Sequence, residues 1–214
     1  MFYFTTILTS LLCLCISLGA NGLSLYDISK APSSIRALGM GQSQTAVAAG
    51  IDAITSTPAG LVFPGSAYHY QAIDTEKTYY KSYNQHFIYR RNFGYANTTV
   101  QDYHNNQLSI NSIAFSNRNK NGLHWGFRYK NISGQLNNNT IDGYSFDLGL
   151  LFQWTPLMKS AIVFKDIHKS NLELPATTTV GISRYQFNKT LQWNIDAIYE
   201  DKVKREIRFC YGIE

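Results

Sequence analysis

Side chains able to do covalent or metal chemistry are few and scattered. The five histidines are His69, His86, His104, His124 and His168, and no two stand at a metal-ligand spacing or beside a cysteine. No Gly-x-Ser-x-Gly elbow is present to hold a nucleophilic serine. Gly39-Met40-Gly41 is glycine-rich, yet it follows no expected strand and no Lys-Ser/Thr pair comes after it, so a phosphate cradle is a poor fit. His124 could in principle work with a serine in hydrolysis; the plainer expectation is a hydrated histidine near a strand end. Asn97, Asn131, Asn138 and Asn188 open Asn-x-Ser/Thr triplets and are expected to be turn and strand-end residues. The sequence therefore predicts no enzymatic activity, no cofactor and no metal site.

Composition narrows the class. The 214 residues carry 19 Lys+Arg against 14 Asp+Glu, a formal net charge of +5, with 15% charged and 14% aromatic residues. Soluble domains average roughly 25% charged. Disorder is excluded, because it needs few aromatics and much charge. The longest basic cluster is Lys202–Arg205, so no linear stripe for nucleic acid exists.

The only long apolar run, Ile7–Ala20, is too short for a helical membrane span, which needs about 20 residues. It suits the apolar region of a signal peptide, with Ala20-Asn21-Gly22 as the cleavage signal and residues 1–22 removed, although no Lys or Arg precedes it. Cys13 and Cys15 would leave with it, and Cys210 alone would remain.

From residue 65 onward apolar and polar residues alternate. Trp125, Phe127 and Tyr129 alternate with His124, Gly126, Arg128 and Lys130. Tyr144, Phe146, Leu148, Leu150, Phe152 and Trp154 share one face, with Leu151 the exception on the other. The same beat runs through Leu191–Tyr199 and Ile207–Ile213. A two-residue period is the mark of a strand, and it predicts about ten strands over residues 65–214, joined as an antiparallel meander. Such ribbons could form a soluble barrel with the apolar face inside, or a membrane barrel with that face towards lipid. Gly, Ser, Asn and Gln on the polar faces, aromatic residues at the strand ends and the export signal favour lipid. Arg128, Lys130, Asp147, Asp196, Glu206 and Arg208 then face the lumen, where opposite charges would pair or line a selective conduit.

Residues 23–64 precede the strands and contain Arg36-Ala37-Leu38-Gly39-Met40-Gly41, Ala46-Val47-Ala48, Asp52-Ala53 and Pro58-Ala59-Gly60-Leu61. In type and spacing this segment resembles the N-terminal signature of FadL-like outer-membrane barrels, particularly the PorV/PorQ branch. Phe146–Leu151, Pro156-Leu157 and Leu174-Pro175 look like the same branch. Thr57 stands where the family usually has Asn, and Gln42 where a second Gly is common. The resemblance implies a plug, with Arg36, Gly39, Met40, Gly41, Asp52, Pro58, Ala59 and Gly60 as plug and gate residues. Small residues and glycines suit a crowded lumen, and Asp52 is placed to cap a short helix ended by Pro58. An ordinary leader packed on a sheet is the plainer alternative.

The expected fold is an all-β, antiparallel meander transmembrane barrel with a small N-terminal plug. Because alternation still runs at Glu214, the barrel is expected to need further strands or another edge to close. By resemblance the protein would act in the outer membrane of a Gram-negative-type bacterium. There it would pass hydrophobic small molecules or serve as a membrane partner for exported protein cargo, with lipid as its surroundings and no nucleic acid. The alternative is a soluble exported lipocalin-like binding barrel.

Overall fold

The computed structural model describes residue 36 and residues 39–73, 80–103, 106–119, 121–136, 139–172, 174–187, 190–201 and 207–214. The expected signal segment, Glu206, Asn138 and Asn188 lie outside them. The alternating text folds as ten strands: β1 (Ser66–Ile73), β2 (Tyr80–Arg90), β3 (Phe93–Asp102), β4 (Gln107–Arg118), β5 (Leu123–Leu136), β6 (Asn139–Thr155), β7 (Met158–Ser170), β8 (Thr177–Gln186), β9 (Leu191–Glu200) and β10 (Ile207–Ile213). They form one sheet in sequence order, every neighbouring pair antiparallel. β1 pairs only with β2 and β10 only with β9, so the sheet is not closed into a barrel. The strand ends at Arg90/Phe93, Arg118/Leu123, Thr155/Met158 and Gln186/Leu191, separated by short turns, gather at one end; the ends at Ile73/Tyr80, Ser170/Thr177 and Glu200/Ile207 lie at the other.

Burial splits the sheet into two unlike faces. Inward residues of β5 (His124, Arg128, Lys130, Ile132), β6 (Ser145, Asp147, Leu151) and β9 (Gln192, Asn194, Asp196) are buried. Outward residues are rings and branched chains left open, with Trp154 61%, Phe209 58% and Tyr211 68% exposed. This is the reverse of a soluble sandwich, whose buried face is the apolar one. Two expected strand-end residues differ from the forecast: Asn97 and Asn131 lie mid-strand, paired with Asn111 on either side of β4. Both belong to the alternation itself, so local turn propensity gives way to the period-two pattern.

The buried face is covered by the segment preceding β1. A short helix, α1 (Ile51–Thr55), is followed by a 3-10 turn over Pro58–Val62. Gly50 is the N-cap of α1 and no side chain caps it; Asp52 lies inside the first turn instead of at the cap. Ala48, Ala53, Ile54 and Leu61 pack against Phe87, Tyr89, Ala96 and Ala114 of β2–β4. Ala46 and Ala59 pack against Leu151 and Ala161, which accounts for Leu151 breaking its strand's pattern.

Candidate functional site

The inner face and its covering segment meet through charges. Arg128 and Asp147 are direct cross-strand partners, and Asp147 is fully buried. Arg128 pairs with Asp147 and also donates from Nη1 to the Ile54 carbonyl at 2.7 Å, tying the sheet to the end of α1. Lys130 Nζ lies 3.0 Å from Asp147 Oδ1 and 2.6 Å from Asp166 Oδ1.

Asp166 reaches this cluster through a bulge. The register of β6 and β7 shifts between Phe146/Leu148, so extra residues oppose Asp147. Asp166 takes a positive φ of 57° there, and its N–H donates to Asp147 Oδ1 at 2.8 Å. A bulge of this kind redirects a side chain: Asp166 turns inward and accepts from Ser145 and Lys130. The energetic logic is that of buried ions, which are tolerated only with opposite charges and hydrogen bonds around them.

Elsewhere on the inner face, on β9, Asp196 performs the complementary task. Its Oδ2 accepts from the backbone N–H groups of Gln44 and Thr45, both at 2.9 Å, and from Thr45 Oγ1 at 2.7 Å. Gln44 Nε2 in turn donates to Ser56 Oγ at 2.5 Å, joining two parts of the covering segment. One cation on β5 and one carboxylate on β9 thus grip it from two sides.

Close approach completes the fit. A side chain at Gly126 would strike Pro58 and Ala59, and one at Gly149 would meet Pro58 Cδ at 3.0 Å. Gly41, at φ +56°, sits so near the Tyr211 carbonyl that a Cβ would lie 2.7 Å from it; the left-handed conformation also favours glycine.

The plug candidates separate accordingly. Pro58, Ala59 and Gly60 are buried, and Met40 is buried against Gly212 and Asn194. Gly39 has open space around it. Asp52 and Arg36 lie at the short-turn end, beside a depression shared with Ser66, Ala67 and His69. There Arg36 Nη2 contacts Glu214 at 2.6 Å. That hydrogen bond pushes the Arg36 guanidinium up and holds the Glu214 carboxyl below its ordinary value.

Of the lumen candidates, Arg128, Lys130, Asp147 and Asp196 are buried on the inner face. Arg208 instead lies at the rim, about half exposed and paired with Glu200.

The other end is closed by the connection between β7 and β8. Leu172 and Leu174 fold inward onto Val100, Leu108, Ile110 and Ile132, and Lys169 donates to the Leu174 carbonyl. Between this apolar lid and the N-terminal segment remains a chamber of about 190 Å³. Its lining includes Arg128, Lys130, Lys165, Asp196, Glu200 and Cys210. Sequence reasoning missed Thr45, Lys165 and Asp166, because contacts of the covering segment and the site of a bulge leave no periodic mark. The Leu172-x-Leu174-Pro175 text in a polar connection was the available sign of the lid.

His124, expected to be hydrated, is 1% exposed; its ring meets Phe63 edge-on at 6.0 Å, and its Nδ1 has no partner among the described residues. Phe63 itself lies under Lys159, 4.1 Å from ring centroid to Nζ. The covering segment dries this strand end, which a sheet considered alone would leave wet. No group of three His, Cys, Asp or Glu that could hold a metal occurs among the described residues. No protein-family model, curated protein or solved structure matches the chain.

Proposed function

We propose that the chain is a plugged outer-membrane β-barrel protein of the FadL/PorV-like kind, without enzymatic activity. The observation that carries it is the inverted sheet: rings open on the outside, ion pairs enclosed within. A soluble lipocalin-like barrel needs the rings inside, and the exposure of Trp154, Phe209 and Tyr211 weighs against it.

Dimensions agree with a membrane. From Tyr144 to Trp154 the outer apolar stripe of β6 covers ten residue steps, about 33 Å along the strand. At the ~40° tilt usual for such barrels this is about 25 Å of height, the thickness of a barrel's apolar band. The β1 and β10 edges must find further strand partners in lipid, since unpaired N–H and C=O groups cannot face hydrocarbon.

Within this class, handling of exported protein at the membrane is better supported than passage of acyl chains. The chamber is charged and, at about 190 Å³, smaller than the roughly 300 Å³ at which ligand pockets begin. A hydrophobic ligand would have to displace both plug and lid.

Fractionation of cells making the full-length protein tests the membrane assignment. It should stay with membranes after salt and alkaline washing and be released by detergent; recovery in the soluble fraction would contradict it. Replacing Pro58-Ala59-Gly60 in that protein should alter cargo secretion, and unchanged secretion would remove the plug's functional content.

A further inference from the structure

The short-turn end of the sheet has a charge pattern that no single stretch of sequence reveals. Arg90 and Arg91 stand at the β2–β3 turn, Arg118 ends β4 and Arg184 lies near the end of β8. All four are exposed, and none has an ion-pair partner among the described residues. In sequence, Lys120 and Lys189 fall within the same turns, while 89–93, 116–124, 153–160 and 184–191 contain no Asp or Glu. Connections at the opposite end mix the two signs in sequence, with Asp74, Glu76, Glu173, Asp201 and Glu206 set against Lys77, Lys202, Lys204 and Arg205.

Tryptophan follows the same polarity. The chain has three, and Trp125, Trp154 and Trp193 each lie within three residues of a short-turn strand end, on the outward face. Arg184 is the direct cross-strand partner of Trp193, and Arg90 that of Phe93. Indole rings favour the boundary between headgroups and acyl chains. Guanidinium groups favour phosphate, which they can engage through two parallel hydrogen bonds.

We propose that this rim is a docking surface for the headgroups of anionic phospholipids, arginines on the phosphates and indoles just below them. The inference rests on the membrane assignment above and adds a direction: the short-turn end sits in the more anionic phospholipid leaflet. Nucleic acid offers the same phosphates, but here the charges form an interrupted collar between apolar rings, not a continuous groove.

Flotation of the detergent-purified full chain with vesicles tests this. One set is phosphatidylcholine alone; the other contains phosphatidylglycerol as well. The protein should associate with both, at least tenfold more tightly with the anionic set, and high salt should erase the difference. The R90Q/R91Q/R118Q/R184Q variant should lose the preference, on the scale of ~5-fold per arginine. The matching variant with four lysines should keep most of it, which separates charge from misfolding. Equal binding to both vesicle sets, or a glutamine variant that keeps the preference, overturns the collar and leaves the membrane assignment standing. Association with neither set overturns both. Arginine-dependent binding to anionic vesicles that salt removes entirely supports the collar and contradicts a spanning barrel. Preference for duplex DNA over the anionic vesicles overturns the proposal.

Discussion

Asp147 has no solvent and three demands on it: the Arg128 guanidinium, the Lys130 ammonium and the Asp166 N–H. Removing its charge leaves two buried cations with one remaining carboxylate between them. Breaking a buried pair from one side costs about 3–5 kcal/mol, whereas replacing the ions together by apolar groups can be nearly neutral. Asp147→Asn should therefore lower thermal stability in detergent far more than a combined R128M/D147L change, and equal losses would contradict the ion-pair account. At the exposed end, Glu214 is held below its ordinary value by Arg36. A carboxyl lowered in the folded state contributes stability above its unfolded pKa, and that contribution is lost as pH falls through the lower folded value. The pair is half exposed, so the effect is small. Unfolding midpoints measured across the acid range should show this dependence in the wild type and not in Arg36→Ala; identical curves would mean the contact adds nothing.

At the level of elements, the sheet and its covering segment are fitted to each other by missing side chains. Gly126 and Gly149 leave the groove into which Pro58 and Ala59 settle. Gly126→Ala drives a methyl into backbone that has no room to retreat, and overpacking of this sort costs about 1–3 kcal/mol. The expected result is earlier proteolytic cleavage within 39–63 with the β-sheet circular dichroism retained; unchanged cleavage would show that the segment is not seated there. Much of this level was legible in the sequence. The two-residue beat located the strands because each residue's face is fixed by its parity, and Leu151 marked itself as an exception. The bulge at Asp166 was not legible, since it inserts two residues and the beat resumes beyond it on the same parity. His124 was misjudged because its burial comes from Phe63, which lies far away in sequence. The small-residue text before β1 covers the buried face of the sheet, yet Asp52 serves within α1 and not as its cap.

For the whole molecule the governing feature is orientation. A chain with 15% charged residues has placed several of those charges on the enclosed face and has left tryptophan, phenylalanine and isoleucine outside. Such a surface is costly in water, where apolar area weighs about 25 cal/mol per Å², and it is favourable in hydrocarbon. Both edges of the ten-stranded sheet remain open. Orientation can be measured without altering the protein, because all three tryptophans lie on the outer face. Reconstituted into vesicles with brominated acyl chains, the wild type should show strong quenching of tryptophan emission by the lipid bromines and little by aqueous iodide. Full quenching by iodide with none from the lipid would place those rings in water and contradict the account.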